Sequence, residues 1–62
     1  MNTQTLKSTA QGMYFLGYTE SMAKEALAEM IECQMKLPLA LAKVRAEQIV
    51  SPVFKQVHFV GN

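Results

Sequence analysis

Residues 19–50 read TESMAKEALAEMIECQMKLPLALAKVRAEQIV, and the fold follows from how this stretch divides. Thr19 suits the position before a helix, because its hydroxyl can accept from a free first-turn amide. Glu20 then meets the positive end of the helix dipole. The residues that follow are rich in Ala, Leu, Met, Glu and Lys, all strong helix formers. Helical spacing gathers Ala23, Ala26, Leu27, Met30, Ile31 and Leu37 on one side. It gathers Ser21, Glu25, Glu29, Glu32 and Lys36 on the other. This predicts an amphipathic helix over 20–37 with one buried face. Glu20–Lys24 and Glu32–Lys36 have the favourable order for ion pairs one turn apart, worth about 0.2–0.5 kcal/mol each.

Pro38 disfavours helical backbone at Leu37 and supplies no amide donor, so the first helix ends there. A proline fits the first turn of a new helix, where amides lack intrahelical partners. A second helix is expected over 38–50. Its apolar residues exceed one stripe: Leu37, Ala40, Leu41 and Val44 lie on one side, while Leu39, Ala42, Ala46, Ile49 and Val50 cover much of the rest. Such a helix is expected to be buried on two sides, against a third element or another chain. On this reading Leu27 and Leu41 are both core leucines.

Ser51-Pro52 is expected to stop the second helix. The following VFKQVHFV is rich in β-branched and aromatic residues and reads as an extended segment over 53–60, which must pair or dock to be stable. Towards the N-terminus, 5–16 reads as a short helix capped by Ser8 or Thr9 and weakened by Gly12. A strand formed by MYFL is the alternative. Gly17 is expected to close the helix in left-handed conformation. Residues 1–62 thus form one mainly α domain: a helical hairpin or three-helix arrangement with an extended C-terminal segment, completed by dimerisation.

Composition supports that last step. A chain of 62 residues buries a thin core, and small chains usually need a disulfide, a metal or a partner. One cysteine excludes an internal disulfide. Cys33 and His58 alone cannot close a tetrahedral zinc site. A second copy of the chain is the remaining support. Charge points the same way: residues 1–32 hold Lys7 and Lys24 against four glutamates, whereas 33–62 hold Lys36, Lys43, Arg45 and Lys55 against Glu47. That layout suits antiparallel self-association at least as well as DNA binding.

The same counts argue against several chemistries. The chain has no Asp and one His, so a Ser–His–Asp triad is impossible within it, and Cys–His chemistry would need Cys33 and His58 to meet. Cys33 is expected to be a small packed thiol, and His58 a surface or partly packed residue. Glu25, Glu29 and Glu32 share a side but face no second acidic cluster, so they read as solvated. No phosphate-binding glycine motif occurs. No cofactor and no enzyme activity are expected. Met13, Met22, Met30 and Met35 read as core filling, with an adaptable binding surface as the alternative. Gln34, in line with Leu27 and Leu41, either sets the register of a helical pair or reaches water near the helix end.

Nucleic acid is not expected as a partner, because a net charge of +1 with dispersed cations gives a weak phosphate term. Lys43 and Arg45 lie about 160° apart on a helix. Membrane binding is not expected either: no apolar run approaches the roughly 20 residues of a span, and no signal peptide is visible. The expected compartment is the cytoplasm, with Cys33 reduced.

Leu16-Gly17-Tyr18, followed by Ala23, Ala26 and Leu27, resembles the first-to-second helix corner of ubiquitin-associated and similar small three-helix modules. Those modules carry a Met/Leu-Gly-Phe/Tyr loop before a helix bearing Ala and Leu. The resemblance covers about a third of the chain, and the second helix here is longer than theirs. It implies a protein partner met partly through that loop. The corner is also similar to a DNA-binding helix-turn-helix, although Met13 stands where a small residue is usual and the next helix presents glutamates. The chain as a whole resembles small accessory proteins of temperate bacteriophages. The expected function is a non-enzymatic protein-interaction module or regulator, homodimeric, phage- or prophage-encoded and acting on a host or phage protein. The alternative is a helix-turn-helix DNA-binding accessory protein. The expected interaction or core face is Leu16, Leu27, Met30, Leu37, Leu41, Val44 and Ile49.

Overall fold

The computed structural model describes residues 2–60, and for 56–60 the backbone alone. It contains three helices: α1 (Thr3–Phe15), α2 (Glu20–Met35) and α3 (Leu39–Val60). No strand occurs among the described residues.

Each helix boundary has a local cause. Asn2 is extended, and its Oδ1 accepts from the Thr5 amide at 2.8 Å. It satisfies a first-turn donor, so α1 starts at Thr3, ahead of the expected cap at Ser8 or Thr9. Thr9 is inside the helix, where its hydroxyl donates to the Thr5 carbonyl at 2.9 Å. The strand alternative for MYFL is excluded, because Met13, Tyr14 and Phe15 are helical. At the other end Gly17 adopts φ 94°. The Tyr18 amide reaches back to the Met13 carbonyl and the Gly17 amide to that of Tyr14, at 3.0 and 3.1 Å. This paired closure needs a left-handed residue, which glycine supplies without a Cβ penalty.

Thr19 opens α2 as expected, its Oγ1 accepting from the Met22 amide at 3.1 Å. The helix ends at Met35, two residues before the expected limit. Lys36 turns left-handed at φ 54°, and Leu37 precedes a proline that disfavours helical backbone there. Pro38 sits just outside α3, where its carbonyl accepts from the Ala42 amide at 2.9 Å.

The expected stop at Ser51-Pro52 is a correction. The helix runs through Pro52, so Val53, Phe54 and Lys55 continue α3 where the sequence suggests an extended segment. An interior proline costs a helix about 3 kcal/mol. Against this, Val53 is fully buried, and complete burial of a valine returns about 1.5–3 kcal/mol. Phe54 adds an edge-on contact with Tyr14 at a ring separation of 5.3 Å. Tertiary packing therefore decides this segment against its local propensity. The side chains of Val57, His58, Phe59 and Val60 lie outside the described residues.

α2 and α3 form an antiparallel hairpin about the 36–38 link. Glu20 at the start of α2 meets Ser51 late in α3, while Ala28 shares a trough with Leu39 just after the link. α1 packs on the far part of this hairpin, where Thr3 and Lys7 adjoin Gln48, Ile49 and Pro52. The core consists of Leu6, Ala10 and Met13 from α1, Ala23, Leu27, Ala28 and Ile31 from α2, and Ala42, Ala46, Ile49, Val50 and Val53 from α3. No polar side chain is buried with them among the described residues. Ala23, Leu27 and Ile31 agree with the amphipathic pattern, Ala26 and Met30 are half-buried, and Ala28, outside the expected face, is also buried, while Glu25, Glu29 and Glu32 are exposed.

α3 departs from expectation on its second side. One stripe enters the core, whereas Leu41 and Val44 remain 56% and 52% exposed. Leu41 is thus a surface residue of this chain, and the expectation that it is a core leucine is corrected. The reason is angular: it lies about 100° round the helix from fully buried Ala42. Leu27→Ala should destabilise the protein by about 2–5 kcal/mol, as for truncation of a buried leucine, and Leu41→Ala in the monomer by no more than about 0.5 kcal/mol. Urea titration followed by far-ultraviolet circular dichroism at submicromolar protein checks this. Equal losses would contradict the packing.

Candidate functional site

The seven residues expected to form one face fall into two groups. Leu27 and Ile49 are core residues, and Met30 and Leu37 pack half-buried against that core. Leu16, Leu41 and Val44 are exposed. The first group holds the monomer together, and the second is available to a partner. Leu41 and Val44 lie one turn apart on the outer side of α3, flanked by exposed Ala40, Arg45 and Gln48. Leu16 is at the α1–α2 corner beside Phe15, and both are more than three-quarters exposed. Sequence reasoning missed Phe15. Its side chain is carried outward at the last residue of α1, where the Phe15 and Tyr14 rings meet edge-on at 5.6 Å.

A shallow trough runs between α2 and α3. Ser21, Lys24, Glu25, Lys43 and Glu47 line one end, and Glu25, Ala28, Glu29, Leu39 and Lys43 the other. Lysines and glutamates alternate along it, so neither anions nor cations are selected by charge. Among the described residues, no three His, Cys, Asp or Glu side chains converge as metal ligands would. No described helix is long and apolar enough to cross a membrane.

Cys33 is exposed, a correction to the packed thiol expected from its position. It follows Ile31 by two residues and so lies about 160° away from that fully buried side chain. Gln34 is also exposed, one residue from the end of α2. Of the methionines, Met13 is buried, Met30 and Met35 are half-buried, and Met22 is 52% exposed.

One polar constellation ties the helices together. Glu20 Oε2 accepts from Ser51 Oγ at 3.1 Å and pairs with Lys24 Nζ at 3.2 Å. Hydrogen bonding from Lys24 and then from Ser51 holds the Glu20 carboxyl below its ordinary value. Both Glu20 and Lys24 retain solvent contact, so the tie is a weak fastening of α2 to α3.

A lowered carboxyl pKa favours the folded state above the unfolded-state value of 4.5, and this contribution disappears as pH falls through the lower folded value. Wild type should therefore be more stable than Glu20→Gln at neutral pH, by a margin that narrows on acidification. Thermal melts of both proteins across pH 3–7 measure the margin. A margin independent of pH would contradict the assigned role of the Glu20 charge.

Comparison with protein-family models, with curated proteins and with solved structures returns no match to this chain. The functional reading therefore rests on the surface just described: two small apolar patches on a helical domain.

Proposed function

We propose that this chain is a non-enzymatic protein-interaction module or small regulator that acts as a homodimer and engages a further protein. The observation that carries this reading is the exposure of Leu41 and Val44 on a helix whose opposite stripe already fills the core. Apolar side chains in one contiguous patch favour a protein contact over water. The reading includes a phage or prophage origin, a host or phage protein as partner, and action in the cytoplasm with Cys33 reduced.

Area constrains the interface. A stable contact buries about 800 Å² per partner, roughly a fifth of the 4244 Å² accessible surface. Leu41 and Val44 are too small to supply this alone. The contact must extend along α3 over Ala40, Arg45 and Gln48, with Leu41 at its centre. Such a seam resembles helical pairing, in which a central apolar residue is enclosed by a polar rim.

Sedimentation equilibrium at low micromolar concentration should give twice the 6.9 kDa chain mass. Leu41→Lys with Val44→Lys should give a helical monomer. A wild-type monomer would defeat the dimer reading. Nuclease-treated affinity capture from the native host should retain a protein partner. Sequence-selective DNA retention at nanomolar protein would instead favour the helix-turn-helix alternative.

A further inference from the structure

Lys43 and Arg45 stand at the two edges of the apolar ridge on α3. Val44 lies between them, and each cation is about 100° round the helix from it, on opposite sides. Leu41 precedes Val44 on the same ridge, and all four residues are exposed. Lys36 adds an exposed cation in the link before α3. From Cys33 to Ala46 the sequence has no carboxylate. Glu25, Glu29 and Glu47 line the trough beside Lys43, but among the described residues the one ion pair is that of Lys24 with Glu20. Lys36, Lys43 and Arg45 therefore keep their charge available to a partner.

Such a ridge selects its occupant by charge. In a two-fold pair centred on Leu41 and Val44, both edges of one ridge meet both edges of the other. Cations then border cations whether the two helices run parallel or antiparallel, which weakens the self-contact. A helix with apolar residues between rows of carboxylates matches the ridge at its crest and along both edges. The aliphatic stems of Lys43 and Arg45 would extend the apolar contact.

We propose that the outer face of α3 docks an acidic amphipathic helix of another protein, in preference to a second copy of this chain. This rests on the reading of that face as an interface and names the chemistry of the further partner. Apolar anchors of the docked helix cover Leu41 and Val44, and its carboxylates pair with Lys43 on one edge and Arg45 on the other.

Fluorescence anisotropy on the full chain tests this, with a synthetic helical peptide carrying Leu along one stripe and Glu on both flanks. A second peptide has Lys in place of Glu. The acidic peptide should bind at least about tenfold more tightly. Lys43→Glu with Arg45→Glu should reverse the preference, with helix content unchanged by circular dichroism because both residues are exposed. In sedimentation the acidic peptide should replace the dimer by a one-to-one complex. A wild-type chain that is monomeric without peptide yet prefers the acidic peptide would defeat the dimer reading and uphold the docking face. Equal binding of the two peptides would overturn the proposal, as would a preference that the double variant leaves unchanged. Retention on phosphatidylserine-containing vesicles without binding of the acidic peptide would overturn it in favour of a lipid surface.

Discussion

Burial of Val53 immediately beyond a proline is the contact on which the arrangement of the three helices depends. α1 has three core residues, Leu6, Ala10 and Met13, and it needs a surface on which to set them. α3 supplies part of that surface around Pro52, where Ile49 and Pro52 adjoin Thr3 and Lys7 and the ring of Phe54 meets Tyr14. If α3 ended at Ser51, α1 would lose part of its seat and the bundle would reduce to a two-helix hairpin. Isolated helices and pairs of this length are marginal in water. The continuation of α3 and the docking of α1 therefore stabilise each other.

Around that contact, the helix ends are specified residue by residue. Asn2 and Thr19 each satisfy an amide of the turn they open. Gly17 reverses the chain through a closure that also seats Tyr18 against the core. Lys36 and Pro38 end one helix and begin the next within three residues. These short connections leave little freedom in how the helices meet. A core without buried polar groups can then be non-directional and still give one topology.

The parts of the fold visible in the sequence were those governed by local chemistry. The Thr19 cap, the Gly17 turn, the Pro38 break and the apolar face of α2 each depend on residues within one or two turns of one another. What local reading missed depends on distant partners. Nothing near Pro52 signals that Val53 will find Ile49's side of the core, so the strong local breaker misled. Asn2, Ser8 and Thr9 are all residue types that cap a helix, and only the folded chain shows that Asn2 holds the first-turn amide. The proposed face was legible as a set of apolar positions but not as two groups. The side of α3 that meets α2 is chosen by small residues, Ala42 and Ala46, while the larger Leu41 and Val44 are left outside.

That choice has a consequence for how the molecule tolerates change. Among the described side chains, five of the twelve core residues are alanine: Ala10, Ala23, Ala28, Ala42 and Ala46. Small side chains at a helix seam permit backbones to approach towards the lower end of the usual interaxial range of about 8–10 Å. Space, more than apolar area, is then the scarce quantity at the seam. In most cores the damaging substitutions remove volume, but here the added methyl groups of a valine would have nowhere to go and would wedge the helices apart. Sequence drift at these five positions is therefore bounded by size from above.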